Sequence, residues 1–562
     1  VATDYVDFIL YYKGETKGSY GVGFIVKKCL AKYIEEFKGT SDRLAILNIQ
    51  LPGYTKKWSI LQVYAPTEQA EDSSKDHFYN QLSLALQNTH KNVIVMGDFN
   101  GRIAFQDISI INQFNFNTNH RMVRGTLTII LLHKKGNRNM VENYRPISLM
   151  SNIYKLFSKL ILKRISKNLD EQQPIEQAGF RAGFSTIDHI HTLKQLIQKS
   201  QEYGKPLYIA FVDYSKAFDS IKHISLWKAL LRQGIPKKYI RIIKNIYTNC
   251  TAHIKLETIG EEFPISRGVR QGDPLSPKLF SAVLEDIFRD LEWDEFGISI
   301  DGSKLNHLRF ADDLVLISDN ATTIKTMLQQ LAKRSALSGL AMNMFKTKIM
   351  TNREQTPIEV EGEPVSYVDE YIYLGQIISF KDQTTLEIDR RVACAWRRYW
   401  SLKEIMKSKD FPVSAKRRVF NTCILPCLTY GCQTWALSQK HALKLRTCQR
   451  GMERSMLGLS LIDRRKAVEI RHTTKVDSVL EKVRKLKWQW TGHMTRESKA
   501  KWTKALTEWQ PRDGKRKKGR QRMRWEDDFR RVGGQTWRRK ATDRTEWKRL
   551  EEAYVSNDTL IN

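Results

Sequence analysis

Short apolar runs with turn-rich borders dominate the first hundred positions. Gly21–Val26, Leu44–Ile49 and Trp58–Tyr64 have strand composition, and Asn92–Asp98 reads as a short buried strand ending in a loop. Helical periodicity covers His77–Asn88. From about residue 122 the pattern changes. A strand over 206–214 precedes helices near 222–234 and 237–248, a loop, and a helix near 277–291. A strand pair around Asp312 and Asp313 follows, then a helix over 321–338 stopped by Gly339, and a strand over 343–351. This β-α-β-β-α-β order predicts a split ferredoxin-like sheet, which gathers the ends of several strands. Beyond about 380 the pattern is mostly helical.

Length and charge sharpen that picture. A chain of 562 residues exceeds what one core serves, so two to four domains are expected. Its 93 Lys and Arg against 61 Asp and Glu leave +32, which favours a polyanionic partner, nucleic acid first, over a merely basic soluble protein. No apolar run approaches the ~18–20 residues of a spanning helix, so no membrane partner is expected. Seven cysteines, an odd number without tight spacing, suit a reducing compartment. The chain starts at Val1, so its N-terminus says nothing about targeting.

Two acidic clusters carry the candidate chemistry. Tyr208–Asp219 is a buried strand running into a turn, with Asp213 at its end. In Leu308–Ser318 the adjacent Asp312 and Asp313 interrupt an apolar run at what should be a hairpin tip. An acid pair in an apolar hairpin is costly unless a cation neutralises it, and two divalent ions shared with Asp213 would do so. A solvated Asp-Asp turn is the competing reading.

Phe310-Ala311-Asp312-Asp313 resembles the signature of reverse transcriptases, and Asp213 with Phe218 resembles their first palm motif. Gly268–Phe280 is similar to the second. Asn143–Ser148 and Gln177–Arg181 resemble finger motifs, while Lys346-Thr347-Lys348 and Tyr373-Leu374-Gly375 resemble the fourth palm motif and the primer grip. Seven such segments fall in order over residues ~130–380. The resemblance implies that Asp213, Asp312 and Asp313 hold two Mg2+ ions (Mn2+ being the other ion such a site takes), with the Tyr214 carbonyl as a further ligand. It implies that Arg181 grips the triphosphate, that Gln271 and Gly272 lie against the incoming base pair, and that Phe218 excludes a ribose 2′-hydroxyl, although a core Phe would look the same. Lys346, with Lys348 as rival, would protonate pyrophosphate. Tyr373, Leu374 and Gly375 would support the primer terminus, and Asp219 would cap the following helix.

The first 120 residues resemble part of the endonuclease/exonuclease/phosphatase fold, through Val63–Thr67 with Tyr64, Gly97–Asn100 with Asp98 and Asn100, and Asn119–Val123 with His120. Asn119 stands where the family has Asp, only about 20 residues part Asn100 from His120, and no early strand with a metal-ligand Glu precedes them. No nuclease activity is expected. Endonuclease followed by polymerase is the layout of non-LTR retrotransposons, and Leu486–His493 and Gly519–Asp528 resemble the RTE-like group.

Residues 511–540 hold 13 Lys or Arg against four acids, and seven tryptophans fall between Trp488 and Trp547. Stacking platforms for single strands and a small aromatic core both fit that spacing. Lys515–Lys518 reads either as a nuclear import signal, placing the protein in the nucleus, or as a solvated face. Cys423, Cys427, Cys432, His441 and Cys448 lack zinc-site spacing and suit an apolar region instead.

The expected fold is α+β and multidomain. A truncated α/β sandwich spans 1–121, fingers and a ferredoxin-like palm 122–380, a helical thumb 381–460, and a basic Trp-rich nucleic-acid-binding region 461–562. Together the middle parts make a right-hand polymerase. The expected reaction is DNA synthesis from dNTPs on an RNA template, primed by a DNA 3′-hydroxyl. The rival is a relic that binds nucleic acid without catalysis.

Overall fold

The computed structural model describes residues 2–14, 21–50, 57–66, 70–90, 92–98, 127–134, 136–150, 152–248, 250–512, 516, 519 and 523–556. The chain divides into two compact units, Val1–Met122 and Val123–Asn562.

In the first unit Ile34–Ser41, Leu44–Ile49, Trp58–Tyr64 and Asn92–Asp98 form a four-stranded sheet in that order. The last two run parallel, which requires a crossover, here the helix Asp72–Gln87. Ser59, Leu61 and Val63 are buried in alternation along Trp58–Tyr64, the period of a strand with one covered face. Leu61 and Val63 meet Phe78 and Leu82 of the helix. The other face packs Ala45 and Leu47 against Val22, Phe24 and Val26 of a second sheet.

In the second unit a five-stranded sheet has the order His307–Phe310, Asp313–Ser318, Tyr208–Val212, Lys348–Thr351, Ser366–Tyr367. The first four are mutually antiparallel. In chain order they stand 2-3-1-4, the split ferredoxin-like arrangement that the element order predicts. Every residue of Tyr208–Val212 is buried, because helices cover both faces of this central strand. Ala210, Leu314 and Leu316 face Leu279, Phe280 and Leu328 of the helices Ser276–Arg289 and Ala321–Leu337. Ile209, Phe211 and Val315 face Leu193 and Leu196 of the long helix Thr186–Tyr203. The helix Ala321–Leu337 ends as expected. Gly339 adopts φ +89°, its N–H bonds Ala336 O at 3.0 Å, and Leu340 N–H bonds Ser335 O at 3.0 Å.

Two strands are shorter than their apolar runs. The central one ends at Val212, and Tyr214 keeps only an isolated bridge to Met342. The run at 343–351 becomes a strand only over Lys348–Thr351. Asn343 sets a turn instead, its carbonyl accepting from Lys346 N (3.2 Å) and Thr347 N (2.8 Å) and its side chain from Lys346 N (3.2 Å).

Beside this sheet, Phe263–Pro264, Thr251–Ile254, Leu127–His133 and Tyr144–Leu149 form another in that order. The helices Gln383–Ser401, Gln439–Met456 and Val479–Arg496 share one core with Trp435, Phe420 and Tyr399. Cys432 and Cys448 lie inside it, where burial pushes both thiols up to about 12. Trp488, Trp525, Trp537 and Trp547 surround Phe529 and Tyr554 in a final core. Trp488 and Trp547 stack at 3.7 Å, and each indole N–H donates to the other's main-chain oxygen at 3.0 Å. The tryptophan spacing therefore serves packing, and these four indoles, at most 3 % exposed, offer no platform to a base. Among the described residues no helix is long and apolar enough to cross a membrane.

Candidate active site

The acid pair sits where two antiparallel strands turn. Phe310 pairs with Asp313 across the hairpin, which leaves Ala311 and Asp312 as the turn, Ala311 at φ +59°. Val212 pairs with Leu314, so continuing that ladder by one residue brings Asp213 beside Asp313. The site is thus a consequence of register: three carboxylates at one end of neighbouring strands. Asp213 is held by its backbone, its N–H on Thr347 Oγ1 at 3.4 Å and its carbonyl accepting from Asn343 N at 2.8 Å.

Electrostatically the three are poorly compensated. The side chains of Asp312 and Asp313 reach the surface, yet the chain packed around the tip desolvates both and raises both carboxyls. Repulsion from Asp312 and Asp213 adds to burial at Asp313, which is pushed up to about 6. Lys346 Nζ lies 3.3 Å from Asp213 Oδ1. The Asn343 turn delivers it there, while Lys348 stands in the ladder opposite Phe211. Of the two lysines, Lys346 is the one at the acids.

A second set of loops closes around the tip. Gln177–Gly179 runs along the edge of the acid hairpin, with Arg309 N–H on Glu176 O at 2.8 Å and Ala178 N–H on Arg309 O at 2.9 Å. Gly179 is required by contact, since a Cβ there would lie 2.3 Å from Ala311 N. Arg181, expected at the triphosphate, here bonds main-chain oxygens. Its guanidinium donates to Pro174 O at 2.6 Å, Asp170 O at 3.1 Å and Gln177 O at 3.4 Å, fastening this segment to the end of the preceding helix.

Phe218 is half-buried, stacked on Phe280 at 4.5 Å and edge-on to Phe180 at 6.3 Å. Gln271 O accepts from Ser148 N at 2.9 Å, and a Cβ on Gly272, at φ +104°, would stand 3.2 Å from Ser148 O. Asp219 does not cap the helix His223–Arg232, whose N-cap is Lys222 without a side-chain bond. Its carboxylate instead accepts twice from Gln271 Nε2, at 2.9 and 3.0 Å, joining the first palm segment to the second.

Comparison with known proteins decides the family. The family described as reverse transcriptase (RNA-dependent DNA polymerase) matches residues 132–378. A transposon-derived protein of Caenorhabditis elegans is 36% identical over 269 residues, spanning 44% of this chain and 95% of that protein. The chain belongs to the reverse transcriptases of non-LTR retrotransposons. The polyprotein of the type-2 retrotransposable element of Drosophila melanogaster is 30% identical, covering 36% of this chain and 19% of its own length. The polymerase of the Drosophila X-element transposon is 27% identical, covering 59% of this chain and 37% of its own. Apart from the nematode protein, this reverse transcriptase thus spans well under half of these relatives. Telomerase of Candida tropicalis aligns at 13% identity and a TM-score of 0.37, over 72% of this chain and 75% of that one.

Other residues of this reverse transcriptase fall as follows. Tyr214 has a buried phenol, 2.5 Å from Ser335 Oγ, and its main chain follows directly on Asp213. Tyr373, Leu374 and Gly375 form the end of the hairpin Glu370–Tyr373/Gln376–Ser379. Leu374 and Gly375 both have positive φ, +45° and +76°, as a two-residue hairpin turn demands. That hairpin lies against the acid end of the sheet. Tyr371 stacks on Phe211 at 4.1 Å, and burial together with the charges of Asp213 and Asp313 pushes its phenol up to about 12. In the first unit Tyr64 ends its strand opposite Asp98, with the Arg43 guanidinium 5.5 Å over its ring. Asn100 and His120 lie outside the described residues, as do Asn119, Lys515, Lys517 and Lys518.

Two cations at this site escaped the sequence reading. Arg145, on Tyr144–Leu149, and Lys134, just past Leu127–His133, partly offset the charges of Asp312 and Asp219. Arg145 was visible inside the Asn143–Ser148 segment, but only the pairing of the two strands points it and Lys134 toward the acids. Among the described residues, no group of three or more His, Cys, Asp or Glu side chains is arranged so that it could hold a metal ion as it stands.

Proposed function

We propose that this reverse transcriptase copies an RNA template into DNA, extending a DNA primer 3′-hydroxyl held before Asp213, Asp312 and Asp313. The observation that carries this is the massing of three carboxylates at one strand end, where burial and mutual repulsion raise Asp313 to about 6. Such a donor set suits hard divalent ions, and its open geometry leaves positions for substrate oxygens and water. Two Mg2+ ions, or Mn2+, would draw charge from the reacting phosphate and from the attacking hydroxyl.

The chain's own residues do the rest. Lys134 and Arg145 face the triphosphate. Phe218, braced by Phe280, sits under the dNTP sugar where a 2′-hydroxyl would collide. Gln271, held by Asp219, and Gly272 line the nascent base pair. The primer hydroxyl gives its proton to water as its oxygen bonds to the α-phosphorus and the bond to pyrophosphate breaks, and Lys346, reprotonated from solvent afterwards, supplies the proton that pyrophosphate takes. Tyr373, Leu374 and Gly375 carry the primer end. In this reading the first unit adds no nuclease, because Asn119 replaces the acid that would orient His120. Supercoiled plasmid should stay un-nicked by the purified chain with either metal.

Primer extension on an RNA template with Mg2+ and dNTPs tests the proposal. The wild-type chain should extend the primer, and the Asp312→Ala/Asp313→Ala variant should bind the same RNA without extending it. A folded wild-type chain that binds RNA and adds nothing would overturn it in favour of a binding-only relic.

A further inference from the structure

The hairpin tip Leu374-Gly375 presents two outward carbonyls, and the helical region beyond it supplies a donor to each. The Tyr430 hydroxyl donates to Leu374 O at 2.8 Å and lies 3.1 Å from Thr186 Oγ1, at the start of the long helix. Gly375 O accepts from Arg390 Nη1 at 3.0 Å and from Arg391. The two donors support each other, the Arg391 guanidinium lying 4.8 Å over the Tyr430 ring.

Beneath them the connection is buried. Glu387, with no exposed surface, receives Ile377 N–H at 2.8 Å and Gln376 Nε2 at 3.0 Å, and it pairs with both arginines. Gln376 also donates to Tyr430 O at 2.6 Å. Gly431 is forced by this closeness, since a Cβ there would lie 2.3 Å from Gln376 Nε2. Tyr430 itself remains about one-third exposed, at 36 %. A phenol spent on a hairpin carbonyl, at the surface, adds little to a core. Its evident effect is to hold the turn in one orientation.

We infer that Tyr430 is a positioning residue for the primer terminus, acting with Arg391 through the Leu374 and Gly375 carbonyls. This rests on the reading of the hairpin as the primer support. The hairpin is a two-stranded sheet of its own, which has little independent stability without outside contacts. Pinning both carbonyls from one side fixes where the tip points, and ties it to the helix Gln383–Ser401 so that hairpin and helix move together.

Tyr430→Phe removes the hydroxyl and keeps the ring under Arg391. One such hydrogen bond is worth roughly 3- to 10-fold in an equilibrium. The KM for primer–template should therefore rise by about that factor, with the KM for dNTP and the melting temperature unchanged. Thr186→Val, which removes the second partner of the phenol, should give a smaller shift of the same kind. An unchanged primer KM, or equal losses in every parameter with a lowered melting temperature, would overturn the inference. If the wild-type chain does not extend at all, the polymerase reading fails by itself. Fluorescence anisotropy of a labelled primer–template duplex then decides the inference separately, weaker binding by Tyr430→Phe upholding it and equal binding overturning it.

Discussion

The acid end of the palm sheet and the tryptophan-rich helices after Ser478 both place charge among apolar residues, but they settle it in opposite ways. Among the described residues of these helices, the buried lysines have built partners. Lys487, 1 % exposed, donates to Asp528 at 2.7 Å and to Trp525 O at 2.9 Å, and Tyr554 donates to the same carboxylate at 2.7 Å. Lys501 lies between Asp188 and Glu497, at 3.3 and 3.1 Å. At the sheet end, three carboxylates repel one another, and among the described residues the Lys346 contact at 3.3 Å and the charges of Arg145 and Lys134 offset them only in part. Charge that is closely compensated in one place is only partly compensated at the acids, the pattern expected of groups that meet a ligand.

The contrast can be broken in several ways. The largest effect is expected at the acid end. Asp312→Asn keeps the size and most of the fold but should cost on the order of 1,000-fold in extension rate, about 4 kcal/mol of barrier. A rate within tenfold of wild type would remove the acids from the chemistry. The compensated end should respond in stability instead. Lys487→Met strands Asp528 without its cation and should cost about 3–5 kcal/mol in denaturant unfolding. Trp537→Ala should lose a similar amount, about 3–5 kcal/mol, through the cavity it leaves. Its RNA affinity per folded molecule should not change, and a selective loss of affinity would restore the stacking-platform reading.

The smallest effect has a sign that separates the two regions most cleanly. Asp313 titrates near 6 when folded and near the ordinary ~3.9 when unfolded. Below pH ~4 both states hold the proton and there is no cost. As pH rises toward 6 the unfolded state ionises first, so the folded state loses stability, and above 6 the cost is complete. Asp313→Asn should therefore raise the melting temperature by a few degrees at pH 7.5 in EDTA, with the gain fading as pH falls below 6. Millimolar Mg2+ should stabilise the wild-type chain and leave the variant nearly unmoved. A destabilised variant at pH 7.5 would show that the acids are compensated after all.

Much of the palm could be read from the chain because its determinants are local. The apolar run before Asp213, the acid pair between two such runs, and Gly339 after a periodic segment each define their own element. What escaped the reading depends on residues far apart. Asp219 looked like a helix cap because its neighbours suggest one, and its true partner, Gln271, is 52 residues away. For Arg181, nothing nearby in sequence shows the three carbonyls that it bonds. Tryptophans at helical spacing look alike whether they face a core or a base, and only the docking of Val479–Arg496 on Arg544–Ser556 decides between the two. The strand expected over 343–351 failed for a local reason that was legible, an Asn at the head of the run.

The lysine ammonium of Lys199 ends on the carbonyls of Leu506 and Trp509, and Trp502 and Leu506 cover Leu193 and Leu196 of the same long helix. Those partners are 307 positions apart along the chain. On the ribosome, at about 5–20 residues per second, the helix Thr186–Tyr203 waits roughly 15–60 s with a bare apolar face before its cover is made. The five-stranded sheet beneath it is thus complete in sequence long before it is complete in structure. A chain cut short after the last palm motif would leave that apolar face bare, and should be less stable and more prone to aggregate than one that includes Trp502 and Leu506.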